Sequence, residues 1–346
     1  MRKTILDARS YNKSGLGNVI KQIIDNIDPR RKHDFILLLQ RNTAPENINI
    51  DEWFKVVYTS VRPFSVLDQA YLYVLSIFFD LGLTNMNVPF FKWPRSKLVC
   101  IFYDTIPQKF YSKSFFRRVY WKLFAFLSIP NIDNSICISS SARNDVVSLY
   151  PDLIGRIGVS LIGVSPSRRV IEFGPIPDFS ASKKKLLFIG NNKPHKNLSI
   201  LSYLTKNLTE EFQIQVVGDQ RWATGSEFEG DVALLGVVSD AELQRFYNEA
   251  FAYVTPSLAE GFGLPVLEAM MSGLPVIASD IPAHREVGSD SILYFDPNDP
   301  NTFVHCINTL LEPENYNFIR HKAYSRSKSF FSNSFAHDFQ MILEKA

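Results

Sequence analysis

The sequence has few cysteines, three in 346 residues, and each of them lies in an apolar run: Cys100, Cys137 and Cys306. They are too few and too widely spaced for a disulfide framework, and none has the CxxC spacing of a metal site. We therefore expect reduced cysteines in the hydrophobic core of a protein from a reducing compartment.

Long hydrophobic runs are also missing. No charge-free apolar stretch approaches the roughly 20 residues that a membrane-spanning helix needs. The longest candidate runs from Ala70 to Phe79 and stops at Asp80. The chain start, Met1 to Asp7, has no long apolar segment before a charge, which predicts a first strand and not a signal peptide. These features favour a cytoplasmic protein.

The sequence contains neither an Asp-rich metal motif nor a nucleic-acid-binding signature. A hydrophobic content of 46% with 21% charged residues is that of a soluble globular protein. The length is sufficient for two domains of ordinary size. We expect no metal and no other cofactor.

The net charge of +2 conceals an unequal distribution along the chain. Up to Gly174 there are 23 Lys and Arg residues against 14 Asp and Glu, a net charge of +9, and the remainder has 14 against 21, a net charge of −7. The basic first half favours anionic surfaces such as lipid head groups or a phosphorylated acceptor. Nucleic acid is the competing partner, but no motif supports it.

A glycine-rich loop, a short helix and a buried strand are predicted between Ser257 and Asp280. Gly261 and Gly263 permit a close ligand approach, and Pro265 suits the first position of a helix, which should begin near Leu264 or Pro265. The first N–H groups of that helix and its positive dipole end would favour an anion such as a pyrophosphate. Gly273 ends the helix and Leu274 to Ala278 forms a strand, so the order of elements indicates a parallel α/β sheet.

Two glutamates bracket this loop. Glu260 precedes it and Glu268 lies inside the helix, so the two carboxylates can hold different ends of one extended ligand. Ionised carboxylates accept hydrogen bonds from vicinal hydroxyls, which suits a ribose at one end and a hexose at the other. Taken singly, Glu268 is better interpreted as a surface helix residue and Glu260 as a loop acid, and only the whole stretch favours a ligand-binding role.

The whole stretch resembles the E-x7-E motif of the retaining nucleotide-sugar glycosyltransferases of family 4. The resemblance implies an α/β GT-B architecture, with two Rossmann-like domains facing a central cleft and a C-terminal helix that crosses back to the first domain. We place the N-terminal, acceptor-side domain at residues 1–174 and the donor-binding domain at residues 175–346, with a turn-forming linker at Phe173 to Ser182. In the tail we predict a helix at Pro300 to Leu311 and a last helix at about 333–344, packing on the first domain.

The resemblance also assigns the donor site. Lys196, in Pro194-His-Lys-Asn197, matches the lysine that binds the donor pyrophosphate, while Asn191 stands where the family has an arginine. By resemblance Glu260 holds the sugar hydroxyls and Glu268 the ribose. The remaining donor-binding residues are Gly261, Phe262, Gly263 and Leu264. His284 has no metal-like partner nearby and is interpreted as structural or surface.

In the first half, Gly15 and Gly17 form a glycine turn after strand Lys3 to Ala8 and before a helix predicted from about Val19 to Ile27. The resemblance makes this the loop that faces the acceptor and the donor phosphates. Asp104 follows a buried strand, where the family usually has His-Asp. Tyr103 replaces the histidine, so its role does not carry over. Asp104 is then a candidate for contacting acceptor or donor, or an aspartate that only caps its own turn.

Aromatic and basic residues interleave between Phe110 and Leu127. This pattern is typical of a helix in a membrane interface, although the apolar residues fit a core helix as well. Together with the basic half-chain, it favours an anionic membrane surface as a partner. We expect a cytoplasmic protein peripherally associated with the inner face of the cytoplasmic membrane.

The sequence is thus interpreted as a retaining, metal-independent glycosyltransferase, with Glu260 and Asp104 as catalytic candidates. It would move a hexose or deoxyhexose from a nucleotide-sugar to a lipid-linked glycan of a bacterial O-antigen or capsule. The alternatives are a non-catalytic nucleotide-sugar binder, or another GT-B enzyme such as a nucleotide-sugar epimerase or a phosphorylase.

Overall fold

The computed structural model of the chain describes residues 2–11, 14–41, 54–84, 86–111, 115–163, 173–181, 183–201, 203, 211–219, 231–330 and 334–345. By its contacts the chain divides into two compact units. The first consists of Met1–Ile162 together with Ser332–Ala346, and the second of Gly163–Phe331. Each unit is built on a parallel β-sheet.

The sheet of the first unit has seven strands in the described residues, all parallel, in the order β3-β2-β1-β4-β5-β6-β7. These strands are β1 (Thr4–Asp7), β2 (Phe35–Gln40), β3 (Lys55–Thr59), β4 (Asp80–Thr84), β5 (Leu98–Phe102), β6 (Asn134–Cys137) and β7 (Ile157–Val159). Every residue of β4 and β5 is buried. A strand buried on both faces is a continuous apolar run, which explains why β5 is recognisable in the sequence.

Helices connect the strands of the first unit: α1 (Ser14–Asn26), α2 (Val66–Phe78), α3 (Ile106–Tyr111), α4 (Phe115–Leu123) and α5 (Ser140–Leu149). The C-terminal helix (Ser334–Lys345) belongs to the same unit and contacts α1, β5 and β6. Ser160 Oγ donates a hydrogen bond of 2.6 Å to the Asp338 carboxylate, and the Asn134 amide donates one of 3.5 Å to the Ile342 carbonyl. These bonds fix the end of the chain on the first sheet.

The first unit departs from the sequence prediction at two places. Helix α1 begins at Ser14 and not near Val19, so Gly15 and Gly17 lie at the start of the helix instead of in a loop before it. Strand β4 is absent from the prediction, although it pairs with both β1 and β5 at the centre of the sheet. Only Asp80 separates the apolar run of α2 from the apolar residues of β4, and no Gly or Pro lies between the two elements, so periodicity does not mark the change of structure.

The second unit contains, in its described part, a parallel sheet in the order β10-β9-β8-β11-β12-β13. Its strands are β8 (Lys184–Ile189), β9 (Phe212–Val217), β10 (Val232–Gly236), β11 (Ala252–Thr255), β12 (Val276–Ser279) and β13 (Leu293–Phe295). The apolar runs Phe212–Val217 and Ala252–Thr255 predict β9 and β11 with these bounds. Every residue of β11 and β12, the strands on either side of the glycine-rich loop, is buried.

The described helices of the second unit include α6 (Asp240–Glu249), α7 (Leu264–Met271), α8 (Pro282–Gly288), α9 (Pro300–Leu311) and α10 (Pro313–Ser327). The capping box of Ser239 and Glu242 is present at the start of α6. Helix α9 has the bounds predicted for it. Helix α10 is absent from the prediction because its apolar residues do not gather on one face.

Helix α10 contacts the start of the segment Phe173 to Ser182, which the sequence identifies as the linker. The buried Arg320 donates from Nη2 to the Gly174 carbonyl at 2.6 Å, and its guanidinium lies 4.3 Å from the centre of the Phe173 ring. The Gly174 N–H donates to the Ser272 carbonyl at 2.8 Å. These contacts join the segment to the second unit. The boundary between the units accordingly falls between Ile162 and Gly163, whereas the sequence placed it after Gly174.

All three cysteines are free and buried, as predicted, and burial raises the pKa of each thiol. Cys100 and Cys137 pack in the core of the first unit and Cys306 in that of the second. Of the helices described here, none is long and apolar enough to cross a membrane.

Candidate functional site

The glycine-rich loop connects the buried strand β11 to helix α7, which begins at Leu264 as predicted. Gly263 precedes the helix with φ +101°, a left-handed conformation that a residue with a side chain rarely adopts. Its carbonyl accepts hydrogen bonds from the N–H groups of Val266 and Leu267, at 2.9 and 3.2 Å. The first N–H groups of α7 have no carbonyl ahead of them in the helix, so they are oriented to bind an anion.

Glu260 is held at the entrance of this loop by two donors to the same oxygen. Lys196 Nζ and Ser257 Oγ each lie 2.6 Å from Glu260 Oε1. The side chains of Lys196 and Glu260 keep 18% and 15% of their surface exposed, so a ligand can reach both. Burial raises the pKa of the Glu260 carboxyl, but the Lys196 charge and the two hydrogen bonds outweigh it and hold that pKa below its ordinary value. Glu260 is therefore ionised at neutral pH.

A short turn at Pro194–Lys196 places the lysine beside Glu260. The turn ends at Asn197, whose φ of 52° is left-handed, and the Asn197 amide donates to the Pro297 carbonyl at 3.4 Å. The backbone N–H of Leu258 donates to the His195 carbonyl at 2.7 Å. This bond joins the turn to the loop that carries Glu260, so the ion pair rests on a fixed backbone.

Glu268 lies in α7, half-buried, and is oriented by a neighbouring helix. The hydroxyl of Tyr247, a buried residue of α6, donates to Glu268 Oε2 at 2.9 Å. Neither Tyr247 nor Ser257 is recognisable as a site residue from the sequence, because a tyrosine in an amphipathic helix and a serine in a loop have no distinctive pattern. Their roles depend on contacts between segments.

The other donor-site candidates differ in which of their atoms a ligand can reach. The side chain of Phe262 is buried, with its ring 5.8 Å from the ring of Phe330, so Phe262 can meet a ligand through its backbone only. Leu264 is half-buried at the start of α7. Asn191 follows β8 after Gly190, and its Oδ1 is buried with no hydrogen-bond partner among the described residues.

His284 is buried and not at the surface: 1% of it is exposed. Its Nδ1 lies 2.9 Å from the Ser279 carbonyl oxygen, which can only accept, so Nδ1 carries the proton. In the described part of the chain Nε2 has no hydrogen-bond partner, and the Cδ2 edge of the ring faces Gly263. Burial lowers the pKa of His284 despite the nearby Glu260 charge, so the ring is neutral at neutral pH. Of the two interpretations from the sequence, structural or surface, the buried position of His284 agrees with the structural one.

The remaining candidates belong to the first unit. Gly15 and Gly17 lie at the start of α1, and a Cβ at Gly17 would come within 2.2 Å of the Tyr11 carbonyl oxygen, so only glycine fits there. Asp104 Oδ1 accepts a hydrogen bond of 2.9 Å from the Ile106 N–H, at the start of α3. This is the turn role that the sequence left open for Asp104.

A buried charged network lies at the carboxyl end of β1. The Arg9 guanidinium donates to Asp7 at 2.9 and 2.8 Å and to Asp68 at 2.6 Å. The Asn87 amide donates to Asp68 at 2.8 Å. Burial lowers the pKa of Arg9, but the two carboxylates more than reverse this effect and raise it. The network fixes the chain at the edge of the sheet where α/β proteins place their binding loops.

No group of three or more His, Cys, Asp and Glu side chains is arranged to hold a metal ion in the residues that the structure covers. The described site of the second unit contains a lysine, two carboxylates and a helix N-terminus. Such a set can bind an anion at the helix and hydroxyl groups at the carboxylates.

The residues of this site lie within a segment that matches a known protein family. Residues 183–313 match the sequence model of the family described as glycosyl transferases group 1. This segment is therefore similar to that family. The match includes the Lys196 turn, the glycine-rich loop and both glutamates.

Two relatives are named as O-antigen mannosyltransferases. The O-antigen chain mannosyltransferase RfbU of Salmonella typhimurium is 28% identical over 243 residues, which are 63% of this chain and 66% of the relative. The O-antigen chain mannosyltransferase B of Escherichia coli is 34% identical over 137 residues, 36% of either chain. The chain thus spans two thirds or less of the length of these curated relatives.

The fold matches that of solved GT-B glycosyltransferases along the whole chain. Anabaena HepE, in a complex with UDP and glucose, superposes with a TM-score of 0.76 at 15% identity and with 100% of both chains covered. Sucrose-phosphate synthase from Thermosynechococcus elongatus gives a TM-score of 0.76 at 14% identity over 99% of each chain. The chain therefore has the GT-B fold that the sequence predicts, with two parallel-sheet, Rossmann-like domains.

Proposed function

We propose that the chain is a retaining, metal-independent glycosyltransferase. It transfers a hexose or deoxyhexose from a nucleotide-sugar to a lipid-linked glycan during the synthesis of a bacterial surface polysaccharide. The observation that carries this proposal is the ion pair of Lys196 and Glu260 at the entrance of the glycine-rich loop before α7, within the segment that matches the family.

The chemistry requires a nucleoside diphosphate to leave an anomeric carbon. Negative charge then develops on the pyrophosphate, where preorganised donors stabilise it most effectively. Lys196 has three N–H donors and directs one to Glu260, so the others can reach a phosphate oxygen. The first N–H groups of α7 supply further donors together with the positive end of the helix dipole.

The two glutamates then hold the two ends of the donor. Glu260, ionised and beside the loop, accepts hydrogen bonds from hydroxyls of the transferred sugar. Glu268, oriented by Tyr247, accepts them from the ribose. With retention, the acceptor hydroxyl attacks on the face from which the diphosphate leaves, and its proton passes to the departing oxygen.

The relatives guide the choice of donor. Both relatives described above are named as O-antigen mannosyltransferases, which favours GDP-mannose as the first donor to test. dTDP-rhamnose and UDP-hexoses follow. A lipid-linked acceptor would place the enzyme at the inner face of the cytoplasmic membrane, and the net charge of +9 before residue 174 suits an anionic membrane surface.

A thermal-shift screen against UDP-, GDP- and dTDP-sugars without added metal tests the donor site. A ligand at a hundred times its dissociation constant adds about 2.7 kcal/mol to the free energy of unfolding, which raises the midpoint by several degrees. Lys196→Ala should abolish the shift. The control Lys185→Ala removes an exposed lysine that pairs with Glu249, and it should keep the shift.

Turnover is then followed with the donor that binds. Transfer to a lipid-linked acceptor in the presence of EDTA supports the proposal. Binding without any product would indicate a non-catalytic nucleotide-sugar protein. An epimer or a sugar phosphate formed without a glycan acceptor would indicate another GT-B enzyme, and no shift with any nucleotide-sugar would contradict the donor site.

A further inference from the structure

Helix α2 of the first unit has an exposed face that is entirely apolar or aromatic. Its exposed residues are Val66, Leu67, Ala70, Tyr73, Val74 and Phe78. Four of them recur at every fourth position, which lines them up along one side of the helix. The acidic residue of the helix, Asp68, is buried in the network with Arg9. The solvent side of α2 therefore carries no charge.

This surface continues beyond α2 onto the following segment. The Phe90 N–H donates to Gln69 Oε1 at 2.7 Å and the Trp93 N–H donates to Ser76 Oγ at 2.8 Å, so residues 90–93 lie along the helix. Phe91 and Trp93 are themselves exposed. The apolar area thus extends sideways from the helix.

The same segment joins α2 to the basic, aromatic helix α4. The rings of Phe90 and Tyr120 lie 6.2 Å apart. On α4, Phe115 and Phe116 are exposed beside Arg117 and Arg118. We define the α2–α4 face as the exposed apolar and aromatic residues of α2, of residues 90–93 and of α4. Exposed apolar areas of this extent mark interaction sites.

Charge identifies the partner that fits this face. From residue 86 to 131 the sequence has eight lysines and arginines and one acidic residue, Asp104. Of these, Lys92 pairs with Asp133 and Lys109 with Asp145, while the exposed basic residues are Arg95, Arg117, Arg118 and Lys122. Exposed basic residues next to an uncharged apolar helix are complementary to anionic head groups above a hydrocarbon layer. Trp93, Tyr73 and Tyr120 also belong to the residue types that favour the interface of a bilayer. A second copy of this face would bring two sets of these exposed cations together, which is unfavourable.

We propose that the α2–α4 face is the surface that docks on an anionic lipid bilayer, with α2 lying in the interface. The proposal deepens the proposed function, because it names the surface that would meet a membrane-bound acceptor. It assigns the main apolar contact to α2, and not only to the interleaved segment around α4.

Sedimentation with vesicles of phosphatidylcholine and phosphatidylglycerol tests this docking. The protein should bind these vesicles and should lose affinity as salt is raised. Val74→Glu and Phe78→Glu should each weaken binding at least about tenfold, because a charge would enter the interface. The matched control is Phe318→Glu: Phe318 is 66% exposed and Phe78 64%, but Phe318 lies in the second unit. Arg117→Glu should cost about fivefold for each unit of charge changed.

Trp93 supplies a second measurement. Its fluorescence should shift to the blue on binding and should be quenched by brominated lipid tails, and Trp93→Phe should remove most of this change. Equal vesicle binding by the wild type, Val74→Glu and Phe78→Glu would overturn the proposal. A dimer in solution that these two variants dissociate, with no effect on vesicle binding, would assign the face to self-association instead.

These outcomes separate docking from activity. Transfer to a lipid-free acceptor analogue without vesicle binding would leave the proposed function standing and contradict the docking face. Vesicle binding that depends on Val74 and Phe78, without any nucleotide-sugar binding, would support docking and contradict the proposed function.

Discussion

Lys196 and Glu260 form an ion pair of 2.6 Å between two loops at the carboxyl ends of neighbouring parallel strands, β8 and β11. A second donor, Ser257 Oγ, reaches the same carboxylate oxygen and leaves Oε2 for a ligand. Because both side chains are partly exposed, the pair is preorganised for an incoming ligand and is not a buried structural salt bridge. The positive and negative groups of the proposed donor site are therefore adjacent before any ligand binds.

Glu260→Gln is the sharpest test of catalysis at this pair. The amide keeps the size of the side chain but loses the negative charge, so transfer should fall about a hundredfold, equivalent to about 3 kcal/mol of transition-state stabilisation. The melting temperature should change little. In the control Glu249→Gln, the exposed pair with Lys185 is removed, and transfer should not change. Full activity of Glu260→Gln would contradict the assignment.

Tyr247→Phe tests whether the tyrosine acts through Glu268. The variant removes the hydroxyl that donates to Glu268 Oε2 and leaves the packing of the ring in place. A hydrogen bond to a charged group contributes about 1.5 to 3 kcal/mol, so KM for the donor should rise tenfold or more while kcat changes less. Tyr316→Phe is the control: its buried hydroxyl donates to the Phe251 carbonyl, and its loss should lower stability without changing KM. Equal effects on KM would show that Tyr247 has only a structural role.

The sequence predicts the elements around the glycine-rich loop well because local chemistry determines them. Gly263, Pro265 and Gly273 each suit one backbone position, and the structure has α7 between the two glycines, with a left-handed conformation at each. The pattern of Ser239 and Glu242, three positions apart, likewise predicts a capping box, which is present at the start of α6. Such signals do not depend on the rest of the fold.

The missing elements depend on distant contacts. Gly82 of β4 packs against the Phe339 ring of the C-terminal helix, where a Cβ would lie 3.1 Å from the ring. No local sequence pattern predicts this contact. Helix α10 buries Arg320 against a backbone carbonyl and an aromatic ring, which the sequence shows only as a charged residue. The Lys196–Glu260 pair is likewise a product of strand order. The sequence alone identifies Lys196 and Glu260 as candidate site residues but does not show that they are in contact.

Substitutions of three glycines by alanine distinguish the cost of a steric clash from the cost of backbone strain. At Gly218, φ is +142° and a Cβ would lie 2.1 Å from the Gly190 carbonyl oxygen; at Gly236, φ is +75° but the space is open. Gly218→Ala should therefore cost at least about 3 kcal/mol, and Gly236→Ala about 1 kcal/mol. At Gly155 a Cβ would meet nothing within 4 Å, so Gly155→Ala should stay within about 0.5 kcal/mol of the wild type. Urea unfolding measures all three, and equal losses would contradict the steric account.

His195 should make the protein less stable in mild acid. The side chain is buried next to Lys196, and burial lowers its pKa from 6.5 to about 4, although the Glu260 charge opposes this effect. Between these two values the unfolded chain binds a proton that the folded chain does not, so the free energy of unfolding falls as the pH is lowered from about 6.5 to about 4. The loss from this residue should reach about 3 kcal/mol. The buried His284, whose pKa is also lowered, contributes in the same direction.

Urea unfolding at pH 7.5, 6.0 and 5.0 measures this dependence. His195→Gln keeps a neutral polar side chain at every pH, so the loss of unfolding free energy between pH 6.0 and 5.0 should be smaller in that variant, whatever its stability at pH 7.5. His305→Gln replaces an exposed histidine of α9 and should keep the slope of the wild type. If His195→Gln and the wild type lost stability in parallel over this range, the acid sensitivity would have to arise at other groups, and His195 would be protonated equally in the folded and unfolded chains.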